Sequence, residues 1–172
     1  TLGDGTFQCI AITNNTISNS VVGIRCQAGA YGPSGSHGDL TMAGNSINTH
    51  DHCIQLMAGT PDAGTPDPYT NVSITNNSLL RSTSGAALEV GTGALLTGSP
   101  IQATCNWYGT DRPSDEPIPA FVQGRVQGDV NFIPWLIDGT DASSSIGFQP
   151  VDACTGRPGA FKVRAMLSGA YH

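Results

Sequence analysis

Three groups of residues in this 172-residue chain have the types and spacing that chemistry uses. His50-Asp51-His52 is the densest. On an extended strand the two histidines would share a face and could give two metal ligands, or Asp51 could orient a histidine for proton transfer. The cluster falls where neighbouring copies of a repeat carry small polar residues, Ser20 and Ser84, so a solvated turn without a metal is the expected reading. The second group is Arg25, Gln55 and Glu89. Each is the outward residue of a short alternating run, Gly23-Ile-Arg-Cys26, Cys53-Ile-Gln-Leu56 and Ala87-Leu-Glu-Val90. Stacked in register they make a column able to bind or to exchange protons. The column holds one carboxylate, whereas glycoside hydrolysis uses two held about 5–10 Å apart. Trp107 and Trp135 are the third group, either a platform for sugar rings or large apolar residues for a lid.

Other chemistry fits less well. Asp62 and Asp67 could lend oxygens to calcium from a Gly- and Pro-rich insertion, but no cofactor is expected. Gly29-Ala-Tyr-Gly-Pro-Ser-Gly35 has glycines but contains Pro33 and precedes no helical pattern, so it does not cradle phosphate. Five cysteines (Cys9, Cys26, Cys53, Cys105, Cys154) show neither a CxxC pair nor zinc spacing. They suit an oxidising compartment with up to two disulfides and one thiol left over, or else five small buried hydrophobes. Spacing does not fix the pairing.

The composition narrows what can position these groups. Only 12% of residues are charged and the net charge is −6, so nucleic acid is not an expected partner. No apolar run approaches the roughly 18 residues of a spanning helix, and membrane insertion is not expected. With 22 glycines and 11 prolines, a helical bundle is excluded in favour of a turn-rich, all-β chain.

A repeat organises that chain. Ile10-Ala-Ile-Thr-Asn-Asn15-Thr-Ile17, Leu40-Thr-Met-Ala-Gly-Asn45-Ser-Ile47, Val72-Ser-Ile-Thr-Asn-Asn77-Ser-Leu79 and the degenerate Ile101-Gln-Ala-Thr-Cys-Asn106-Trp-Tyr108 share one pattern. Period-2 alternation predicts short strands, each too small to bury its apolar face alone. Copies must therefore stack at about 4.8 Å per layer. Ile12, Met42, Ile74 and Ala103 are expected to form one interior column, and Ile17, Ile47 and Leu79 another. Asn15, Asn45, Asn77 and Asn106 would occupy one left-handed corner and bond as a ladder. Asn14-Asn-Thr16, Asn71-Val-Ser73 and Asn76-Asn-Ser78 also fit glycan acceptors; the register favours the ladder. Outward positions carry Thr13, Thr41, Ser73, Thr75 and Gln102 beside the Arg25 column.

These residues resemble the repeat of right-handed parallel β-helix proteins, the pectin-lyase-like architecture, over about residues 7 to 108. Cys105-Asn-Trp-Tyr-Gly109 with Gly128-Asp-Val-Asn-Phe-Ile-Pro-Trp-Leu136 is similar to the segment that ends many secreted bacterial β-helices, with Tyr108 in place of a second Trp. The resemblance implies about four short layers and a C-terminal aromatic cap of Trp107, Tyr108, Phe132, Trp135 and Leu136, which would cover the last exposed edge. Residues 1–137 are then the β-helix, 138–158 a linker, and 159–172 the start of a following β module, since Gly159 to Tyr171 is similar to a strand in large secreted proteins of Bacteroidota. Both ends read as cut, so the chain is expected to be a segment of a longer protein. The expected role is a non-catalytic structural or adhesive part of a secreted or cell-surface bacterial protein. Expected partners are other copies, joined head to tail, or adjoining domains. The alternative is a carbohydrate-active or carbohydrate-binding β-helix using Arg25, Gln55, Glu89, Trp107 and Trp135.

Overall fold

A computed structural model describes residues 10–27, 38–58, 68–81, 85–95, 100–109, 118–151 and Cys154. Cys9, Gly29 to Gly35, Asp62, Asp67, Ser84 and the tail from 159 lie outside the described residues.

The described chain is all-β with one short helix, and its strands form two parallel sheets. The first contains β1 (Ile10–Thr13), β3 (Leu40–Ala43), β5 (Val72–Thr75), β8 (Ile101–Gln102) and β10 (Val130–Asn131), in that order across the sheet. The second contains β2 (Thr16–Gln27), β4 (Ser46–Met57), β7 (Leu88–Val90) and β9 (Val126–Gln127), with β6 (Ser78–Arg81) beside the first half of β4. Each strand pairs in parallel with a strand from the next copy of the repeat, which is compatible with a β-helix.

The register is the one the Asn spacing dictates. Ile12 pairs with Met42 and Met42 with Ile74, while Ile17 pairs with Ile47 and Ile47 with Leu79. Met42, Ile47, Ile74, Leu79 and Ala103 are at most 1% exposed. Each buried aliphatic side chain contributes about 1.5–3 kcal/mol over its exposed state. Burial is weaker in the first copy, where Ile10 is 38% exposed against 1% for its partner Leu40.

Five layers are present in the first sheet rather than four. Asn76 N donates to Cys105 O and Cys105 N to Pro134 O, while Trp107 N donates to Asn77 O and Leu136 N to Asn106 O. Those bonds set Val130, Phe132, Trp135 and Ile137 in the positions of Ile101, Ala103, Asn106 and Tyr108. The segment expected as a cap is thus also a layer. Trp135 takes the ladder position and Tyr108 continues the Ile17–Ile47–Leu79 column, both at most 2% exposed.

The corner differs from expectation by one residue. The left-handed backbone belongs to Asn14 (φ 56°), Gly44 (66°), Asn76 (56°) and Cys105 (60°), the residues just before the ladder asparagines. A short amide side chain or no side chain at all tolerates that region. The glycan-acceptor reading therefore falls on other residues than the ladder: Asn14, Asn71 and Asn76 are exposed, whereas Asn45 and Asn77 are fully buried.

Helix α1 (Ile118–Gln123) lies between β8 and β9. Phe121 and Val122 bury into the main core, and the Arg125 guanidinium sits 4.6 Å from the Phe121 ring centre. Asp138 to Val151, expected as a linker, folds back on the coil instead, with Phe148 only 3% exposed. No helix among the described residues is long and apolar enough to cross a membrane.

Candidate functional site

The ladder is the most complete polar arrangement in the interior. Asn45 Oδ1 accepts both the main-chain N–H and the Nδ2 of Asn15, each at 3.0 Å. Asn77 Oδ1 accepts the same pair from Asn45 at 2.9 Å, and Asn106 Oδ1 accepts it from Asn77 at 3.0 and 2.9 Å. Each amide nitrogen also reaches a carbonyl of the preceding layer: Asn45 to Ile12 O, Asn77 to Met42 O, Asn106 to Ile74 O. From one asparagine side chain to the next, donation runs one way along the stack. The column ends at Asn106, which has Trp135 beyond it and turns its second N–H to Ala103 O at 2.8 Å.

The second sheet carries the candidate site. Arg25 pairs with Gln55, Gln55 with Glu89 and Glu89 with Gln127, so the expected column is real and one residue longer. Gln55 Nε2 donates to Glu89 Oε2 at 2.6 Å. His52 Nε2 lies 3.0 Å from the same oxygen. The two clusters that the sequence presents separately are therefore one.

Two compensating register shifts precede that meeting, the first leaving Asn19 extra in β2. Between Ser20↔Thr49 and Val22↔His52, β4 holds one residue more than β2. His50-Asp51-His52 is thus strand, not turn, and the bulge re-aims its side chains. His52 Nδ1 lies 3.0 Å from Asp51 Oδ2 but out of hydrogen-bond alignment. Asp51 packs on Gly85, where any side chain would collide with its carboxylate. The His52 and Glu89 side chains are 16% and 19% exposed, and Asp51 is 40% exposed. Arg25 stands exposed one layer above Gln55. Cys53 and Ile54 are buried side by side, which turns the alternation over between His52 and Gln55 and lets residues three apart meet the same carboxylate; strict alternation hides this.

The arrangement offers a largely buried carboxylate, one oxygen of which accepts from Gln55 and lies against His52 Nε2. It can accept hydrogen bonds from a bound hydroxyl or amide. No group of three or more metal-binding side chains occurs among the described residues. Trp135 is buried at 2% exposure and contacts Phe132, ring centres 6.4 Å apart, so its indole has the surroundings of a lid. Trp107 is half-buried, with Gly139 packed on its ring.

The cysteines divide by environment. Cys105 and Cys154 form a disulfide, while Cys26 and Cys53 are free thiols. Burial pushes the Cys53 thiol up to about 11 against the lowering effect of a hydrogen bond from Thr49, and Cys53 Sγ donates to Leu80 O at 3.0 Å. Burial also raises Cys26, and lifts Tyr69 to about 12. A disulfide fits an extracellular protein.

Comparison with known proteins gives no family: no family model, no curated protein and no solved structure matches the chain.

Proposed function

We propose that the chain is a right-handed parallel β-helix segment serving as a rigid structural or adhesive part of a secreted or cell-surface protein. The observation that carries this reading is the Asn15–Asn45–Asn77–Asn106 column, in which three amides at 0% exposure tie four layers together. Such a column specifies register and stiffens the stack. It does not prepare a reacting site. Association with further layers or other copies belongs at the β1/β2 edge, because Trp135, Phe132 and Leu136 crowd the opposite end.

A second reading, a carbohydrate-active β-helix, is favoured by the partly exposed Glu89 in contact with His52 and Gln55. Incubation with neutral and uronic-acid polysaccharides, read by reducing ends and by unsaturated products, separates the two. The scaffold reading expects no turnover, and expects Glu89→Gln to leave any surface adhesion intact. Turnover that Glu89→Gln abolishes would replace it with the enzymatic reading.

A further inference from the structure

Residues Asp138 to Val151 leave the fifth layer and return along the outside of the corner column. Gly147 N donates to Thr16 Oγ1 at 3.3 Å and Phe148 N to Gly44 O at 2.7 Å. Gly147 has φ 102° and approaches Gly44 O and the Asn14 backbone so closely that no side chain fits there. The segment braces itself: Ala142 N donates to Gln149 O at 2.6 Å, Asp141 bridges Pro150, and the Asp141 carboxylate accepts from the amides of Ser143 and Gln149. A groove of about 620 Å³ separates it from Thr13, Ala43 and Asn76. Farther on, Cys154 is bonded to Cys105, whose corner position matches those of Asn14, Gly44 and Asn76.

This strap therefore runs across the layers rather than along one. It holds the first two layers by its N–H groups, bonded to Thr16 Oγ1 and Gly44 O, and by a buried phenyl ring, and it is anchored to the fourth by a covalent bond. In a stack whose units touch only their neighbours, the end layers open independently of the far end. The strap is a contact that skips layers.

We propose that Cys105–Cys154 is a redox-operated clasp for the first two layers. Closed, it keeps Phe148 seated and couples the stability of the first layers to the fourth. An external dithiol opens it: one thiolate attacks a sulfur of the bond and forms a mixed disulfide, and the second thiolate displaces the protein sulfur. The protein gains two thiols, the dithiol leaves as its disulfide, and two electrons and two protons have moved. The strap then retains only its noncovalent hold, and the groove along Asn14 and Gly44 opens.

Amide hydrogen exchange, resolved by residue in the oxidised chain, after dithiothreitol, and in Cys154→Ser, tests the clasp. Asn14 N and Gly44 N, which bond to Ala43 O and Asn76 O, are the reporters. Opening the bond should speed both by about tenfold or more while Leu79 N in the third layer changes by less than about twofold. Faster exchange confined to Cys105 and Leu136, with Asn14 and Gly44 unmoved, would show a local staple and overturn the proposal. If reduction instead accelerates every amide together, Phe148→Ala with the disulfide intact decides. Selective acceleration at Asn14 and Gly44 upholds the clasp, and uniform or absent acceleration ends it.

Discussion

Asn77 satisfies two donors of the layer before it and two carbonyls besides, all inside the protein. Replacing it by alanine strands the N–H groups of Asn45 without an acceptor, so Asn77→Ala should cost about 2–4 kcal/mol in urea unfolding. Asn15 is exposed and starts the column as a donor, and Asn15→Ala should cost less than about 1 kcal/mol. That asymmetry separates a polar column from a mere preference for Asn at turns. Cys53 gives a second test. Its thiol titrates at 9.0 when unperturbed and at about 11 when buried, so above pH 9 the unfolded chain releases a proton that the folded chain retains. Stability is full below pH 9 and falls as pH rises through 11, by about 2–3 kcal/mol from this group. Cys53→Ala should remove that part of the alkaline slope in a pH series of urea midpoints.

At the scale of elements, the first three layers were legible because Asn15, Asn45 and Asn77 recur beside alternating apolar residues, and a strand has no other way to bury them. The fifth layer was hidden by its own chemistry: Trp135 and Ile137 lie 29 residues after Asn106 and Tyr108, but a tryptophan in the asparagine position reads as a cap. Helix α1 was invisible because six residues containing Pro119 carry too little period to register, and its burial is set by the end of the coil. The union of His52 with Glu89 depended on Cys53 and Ile54 both turning inward, which defeats alternation between His52 and Gln55. Because that network is partly exposed, Glu89→Gln should change stability by less than about 1 kcal/mol in denaturant unfolding. A loss of several kcal/mol would mean that the contact between Glu89 and His52 helps hold the second sheet together.

Over the whole molecule, the stack has two unlike ends. Its aromatic end is closed by Trp135 and Leu136 and tied by a disulfide spanning 49 residues, while Ile10 and Val21 at the other end are 38% and 64% exposed. Chain-entropy reasoning gives a bond of that span about 4 kcal/mol, so reduction should lower the urea-unfolding free energy by roughly that amount. The end-to-end difference could not be read from the repeat, since the strap that crosses it is built from Gly, Ser, Asp and Phe148 with no period. Everything above depends on parallel layers in register, and backbone NMR contacts test that most directly. Inter-strand proton contacts should join Thr41 to Ser73, Arg25 to Gln55 and Gln55 to Glu89, with no antiparallel contacts between sequence-adjacent strands. Hairpin contacts between β3 and β4, or contacts that leave Asn45 far from Asn77, would contradict the stack and every role assigned to it.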